Sequence, residues 1–117
     1  MSGSDASGCD SMRNLRWSPA EKAIARKAFD LALHREFKAV IDDARKRMAK
    51  VERVSALWEL EQYLTERRKE IDLTYDYRYS VLPVVFGSLI SEGRLSEREL
   101  RGLGEDKLRY VREYAKS

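Results

Sequence analysis

After Pro19, no glycine or proline interrupts the chain until about Ala49. Over that stretch Ile24, Ala28, Phe29, Leu33, Phe37, Val40, Ile41, Ala44 and Met48 recur at steps of three and four. The start is marked at Trp17-Ser18-Pro19-Ala20-Glu21: Ser18 is placed to cap, Pro19 suits the first helical position, and Glu21 sits three residues after the cap. Asp42 with Lys46, and Asp43 with Arg47, are expected as i,i+4 pairs on the outer face. At 1.5 Å per residue such a helix is a rod of roughly 45 Å, whereas a compact domain of this size has a radius of gyration of about 13 Å. A rod with one apolar edge outruns any globule this chain builds alone. A twin covering that edge, and hence a homodimer, is the expectation.

A second helix is expected from a cap at Ser55 to about Ile71, with Leu57, Leu60, Leu64 and Ile71 forming a narrow seam and Arg67 in its remaining slot. Beside the seam runs a second stripe of Trp58, Gln62 or Glu61, Thr65 and Arg68. An aromatic and an arginine flanking an apolar seam is the composition of an interface anchor; the alternative is that Trp58 is buried in the chain's own core and Arg68 is a solvated charge. Residues 72–92 are locally ambiguous. Tyr75, Tyr77 and Tyr79 alternate as in a strand, yet Pro83 is awkward in one. Read as a helix, Tyr75, Tyr79, Leu82, Phe86 and Leu89 form one face, which Pro83 bends, and helix is the expectation. Gly93 should end it, Ser96 with Glu99 repeats the capping-box spacing, Gly102 and Gly104 punctuate, and Leu108, Val111 and Ala115 belong to a last amphipathic segment. The fold class is therefore all-α: an elongated helical homodimer with two long helices over about 18–71 and a compact C-terminal head of short helices over about 72–117. Residues 1–15, small and polar around Cys9, read as a disordered tail, and 16–117 as a single helical domain.

Several kinds of chemistry find no residues to carry them. One cysteine forms no disulfide within the chain, and His34, the sole histidine, has no ligand or nucleophile set beside it, so a cytoplasmic protein without metal or cofactor is expected. No apolar run is long enough to span a bilayer, and the N-terminal stretch lacks the apolar middle of a signal peptide. Glu59, Glu61, Glu66 and Glu70 share a helix but form no Glu-x-x-His pair, and Gly102-Leu103-Gly104 lacks the strand and third glycine of a phosphate loop. The net charge of +3 comes from interspersed signs: residues 17–50 carry nine basic and five acidic groups, 51–92 five and eight, and 93–117 seven and five. This reads as a solvated helical surface. The rival, a nucleic-acid face built from Arg94, Arg98, Arg101, Arg109 and Arg112, is set aside. No active site is found, and what remains is surface for protein partners.

One block is distinctive. Leu57-Trp58-Glu59-Leu60-Glu61-Gln62-Tyr63-Leu64, Arg68, Ile71-Asp72 and Tyr75-Asp76-Tyr77-Arg78-Tyr79-Ser80-Val81-Leu82 resemble the fluorescence recovery protein family. Val85-Phe86-Gly87, Gly93-Arg94-Leu95, Leu100-Arg101-Gly102-Leu103 and Asp106-Lys107-Leu108 continue the likeness. Trp17-Ser18, Phe29 and Arg35-Glu36 fit its first helix, so the resemblance spans about Trp17 to Val111. It implies an all-helical homodimer that is a regulator, not an enzyme. The implied partner is the orange carotenoid protein, a light-activated quencher of the phycobilisome antenna, whose release and return from the red active form to the orange resting form such regulators promote. Carried over by position, Leu57 falls on the family's apolar dimer seam, and Trp58 and Arg68 match its functional patch; the expected dimer interface is Leu57, Leu60, Leu64, Trp58 and Arg68, and the expected partner-binding residues are Trp58, Glu61, Gln62, Arg68, Val84 and Tyr110. Well-studied members tend to carry His then Asp where this chain has Glu61 and Gln62, and their head is more aromatic around Pro83 and Val84. These departures leave a second reading, in which the same scaffold is an adaptor for a different signalling partner.

Overall fold

The computed structural model describes residues 12–116, and among them there are helices and turns but no β-strand. Helix α1, Pro19–Ala49, starts where the sequence signals place it. The Glu21 N–H donates to Ser18 Oγ at 3.1 Å, and the Ser18 N–H donates to the Glu21 carboxylate at 2.9 Å. Helix α2, Val54–Thr74, has Arg53 rather than Ser55 at the cap position, with no side-chain cap, so Ser55 lies in its first turn, and it runs on past Ile71 to Thr74. The expected outer-face pairs of Asp42 with Lys46 and Asp43 with Arg47 do not form. Asp43 accepts from the Tyr63 hydroxyl at 3.0 Å and the Arg47 guanidinium lies over the Tyr63 ring at 3.7 Å, because α2 folds back along α1 and supplies a better partner for both.

Residues 72–92 are not one helix bent at Pro83. After α2 the chain is irregular through Tyr75–Arg78 and turns at Tyr79–Val81; helix α3, Leu82–Ser91, then starts with Pro83 in its first turn, where a missing N–H has no intrahelical partner to lose. The alternating tyrosines of this irregular segment pack on α1 and on Trp17 just before it rather than on a strand. Tyr75 and Tyr77 meet Phe29 edge-on at 5.5 and 4.9 Å, Tyr79 packs on Trp17 at 5.3 Å, and Arg26 sits 4.1 Å from the Tyr77 ring. Gly93, with φ +78°, closes α3 in the left-handed region that glycine favours. A 3-10 turn over Glu97–Leu100 and helix α4, Glu105–Ala115, complete the described chain.

The core lies at one end of the molecule. Ala25, Ala28, Phe29 and Ala32 of α1 pack with Leu82, Val85, Phe86 and Leu89 of α3, with Leu95, Leu100 and Leu103 of the connecting turns, and with Val111 of α4. The head thus takes in the first half of α1 as well as the residues after α2. Small side chains make this possible: a Cβ at Gly87 would lie 2.6 Å from Tyr114 Cβ and 2.8 Å from the Val111 carbonyl, so α3 and α4 touch backbone to backbone there. An ionic clamp closes the same end. The amine of Lys107, itself buried, donates to Glu21 Oε1 at 3.1 Å and to the Arg16 carbonyl, while the other Glu21 oxygen accepts from the Gly104 N–H at 2.7 Å. Burial pushes the Glu21 carboxyl up, but the Ser18 and Gly104 N–H groups and Lys107 outweigh it and hold the group at about 2.

Beyond the head, α1 and α2 extend as an arm. The radius of gyration is 17.5 Å and the principal extents are 57 × 33 × 21 Å, well beyond the ~13 Å of a compact domain of this length. Along the arm Phe37, Ile41, Met48 and Val54 remain exposed. The tail expected over 1–15, with Cys9, lies mostly outside the described residues; Met12, inside them, is buried, and its carbonyl accepts from the Leu15 N–H at 3.3 Å.

Candidate docking groove and the joint behind it

The two sequence stripes of α2 come together as a groove of about 480 Å³, lined by Leu57, Trp58, Leu60, Glu61, Leu64, Thr65 and Arg68. The helix repeat brings residues three and four apart onto one face, so Leu57, Leu60 and Leu64 line the groove together with Trp58, Glu61 and Arg68. The alternative of an indole tucked into the chain's own core is not what forms: Trp58 is 57% exposed. Of the sequence-predicted residues, Gln62 lies outside the groove, its amide donating to Glu66 at 3.2 Å. Val84 and Tyr110 are further off, on the head. Val84 borders a smaller cavity beside Leu73 and Val81 at the foot of α3, and Tyr110 lies on α4 under the Arg109 guanidinium. The predicted set therefore divides into a groove on the arm and separate positions on the head.

Sequence reasoning missed what stands behind the groove. Glu36, only 4% exposed on α1, accepts from Arg67 Nη2 of α2 at 2.6 Å, from Arg94 Nε of the head at 3.0 Å, and from the Tyr75 hydroxyl at 3.0 Å. Next to it, Arg35 donates through both terminal nitrogens to Glu99 at 2.8 and 2.7 Å, and one of them also reaches the Arg94 carbonyl at 3.0 Å. Burial pushes the Glu36 carboxyl up, but the donors from Arg67, Arg94 and Tyr75 outweigh it and hold the group below its ordinary range. The Tyr75 hydroxyl is pushed up, first by burial and then by Glu36. One signal was available in the sequence: a seam that skips its apolar residue at Arg67 needs a carboxylate on the facing helix.

The arginines of the set-aside nucleic-acid face are partly committed elsewhere. Arg94 is bound to Glu36, and Arg112 pairs with Glu97 at 2.9 Å and Glu105 at 3.0 Å. Among the described residues no group of His, Cys, Asp and Glu is gathered to hold a metal ion, and no helix is long and apolar enough to cross a membrane.

Comparison with known proteins gives one consistent answer. Residues 17–115 match the family described as photoprotection regulator fluorescence recovery protein. The curated fluorescence recovery protein of Synechocystis sp. (strain ATCC 27184 / PCC 6803 / Kazusa) is 33% identical over 100 residues, 86% of this chain and 92% of that protein. The structure of the Fremyella diplosiphon fluorescence recovery protein superposes with a TM-score of 0.82 at 39% identity, covering 87% of this chain and 100% of that one. That of the Synechocystis sp. PCC 6803 protein gives 0.82 at 32% identity with the same coverage. In sequence and in fold alike, the chain belongs to the fluorescence recovery protein family of photoprotection regulators.

Proposed function

We propose that this chain is a non-enzymatic regulator that, as a homodimer, binds the orange carotenoid protein and promotes its return to the orange resting form and its release from the phycobilisome. The observation that carries the reading is the α2 groove, where an exposed indole and a guanidinium flank an apolar floor. In this reading Leu57, Leu60 and Leu64, with Trp58 and Arg68, form the dimer seam. Trp58, Glu61, Gln62, Arg68, Val84 and Tyr110 meet the partner. The exposed Phe37, Ile41, Met48 and Val54 support a second copy along the arm, since apolar area left in water loses about 25 cal/mol for each Å² not covered.

Such a regulator needs no bond-making chemistry. It shifts a two-state photoreceptor by binding one state more tightly, and a difference of a few kcal/mol changes the ratio of states by orders of magnitude. A second reading, an adaptor for a different signalling partner, is favoured by Glu61, which brings a carboxylate to the groove wall where well-studied relatives tend to carry His. Mixing the chain with photoactivated orange carotenoid protein and following loss of red absorption separates the two. Faster recovery in proportion to added dimer supports the first reading, and unchanged recovery at excess dimer removes it.

A further inference from the structure

Helix α2 is held against the rest of the chain by little apolar packing, for only Leu60 and Ile71 among its residues are buried. Apolar contacts this few discriminate weakly between small rolls of the helix about its axis, because dispersion and apolar burial have no direction. Directional contacts oppose such a roll: the Tyr63 hydroxyl donates to Asp43 at 3.0 Å along the arm, and the larger grip is at Arg67. Arg67 Nη2 is 2.6 Å from Glu36, which is simultaneously bound to Arg94 of the head and to Tyr75 just past the end of α2. Arg67 and Arg68 are consecutive and so point about 100° apart around the helix. Fixing Arg67 inward on Glu36 fixes Arg68, and the groove it borders with Trp58, outward.

We infer that Glu36 is a positioning residue: by gripping Arg67, Arg94 and Tyr75 at once, it sets the rotation of α2 and hence the direction in which the Trp58–Arg68 groove faces relative to the head. Desolvation of both charges opposes their attraction, so the Glu36–Arg67 pair adds little net stability, while its attraction still depends on the direction in which Arg67 points. The role is orientation, and it holds whichever partner the groove takes.

The test separates orientation from stability in the full-length chain. Trp17→Phe leaves Trp58 as the single indole, whose ring N–H proton resonance reports the groove's environment. Arg67→Met then removes one arm of the joint with a side chain of similar length, leaving Glu36 still bound to Arg94 and Tyr75, so no unpaired charge is buried. We expect helicity and thermal midpoint close to those of the parent, with the Trp58 indole signal shifted or split into more than one. Glu36→Gln should move the same signal further, and Arg67→Lys, which keeps the charge, should restore part of the parent signal. A single Trp58 resonance at the parent position in Arg67→Met overturns the inference, because apolar contacts and the Tyr63–Asp43 hydrogen bond would then set the rotation without the joint. Loss of helicity in Arg67→Met also overturns it, because the joint would then be a source of stability and not of direction; should Glu36→Gln unfold, Arg67→Met decides the matter.

Discussion

Replacing Glu21 by Gln at the head end of α1 should unfasten the clamp on Lys107, and the size of the effect follows from the carboxyl's proton affinity. The group sits at about 2 in the fold against 4.5 in its ordinary state. At about 1.4 kcal/mol for each tenfold in proton affinity, holding it there stabilises the fold by roughly 3 kcal/mol at neutral pH. The sign is fixed by which state takes up the proton first. Between pH 4.5 and about 2 the unfolded chain binds the proton and the folded chain does not, so this stability is complete above 4.5 and is lost as pH falls toward 2. Glu99 is held at about 2 as well, first by the Arg35 hydrogen bonds, but that pair is more open to water and contributes less. In Glu21→Gln the amide oxygen still accepts one N–H, while buried Lys107 keeps only the Arg16 carbonyl and Asp106 at 3.2 Å. We predict a loss of ~2–3 kcal/mol at pH 7, a thermal midpoint lower by ~10–20 °C at matched protein concentration, and a flatter acid branch of the stability curve between pH 4.5 and 2. Calorimetry across that pH range is the assay. A variant within ~0.5 kcal/mol of the parent at pH 7, or acid branches of equal slope, would refute the assignment of the clamp.

Leu57→Glu sets two carboxylates against each other across the proposed two-fold seam, and light scattering should then give mostly the monomer mass; an unchanged dimer would mean the seam lies elsewhere. Gly87→Val forces atoms into the α3–α4 contact, where a Cβ already meets Tyr114 and the Val111 carbonyl, and should cost at least ~2 kcal/mol by denaturant unfolding. A cost near zero would mean the two helices separate easily.

How far the sequence could be read depended on how local each signal was. The start of α1 was legible because Ser18, Pro19 and Glu21 act within one turn, and the groove was legible because helical spacing alone brings Leu57, Trp58, Leu60, Leu64 and Arg68 onto one face. The tyrosine segment reads differently in space because an irregular strip packed on α1 has the period of a strand and the neighbours of a helix, and only the position of Phe29 decides between them. Ala25 and Ala32 were passed over because alanine carries little hydropathy contrast, although both are fully buried and let α1 approach the head closely. Glu36 was hidden for a different reason: its partners lie 31, 39 and 58 residues away, beyond the reach of any periodicity.

The proposed function stands or falls with the Trp58 groove as the surface that grips the partner. The most direct measurement is the rate at which photoactivated orange carotenoid protein loses its red absorption with the parent chain and with Trp58→Ala at equal dimer concentration. Because Trp58 also borders the proposed seam, the two chains are compared at concentrations where light scattering gives the dimer mass for both. If the groove is that surface, the acceleration given by the parent chain falls at least about tenfold in the variant, the loss of one interface anchor worth roughly 1.4 kcal/mol or more. Equal acceleration by both chains would contradict it.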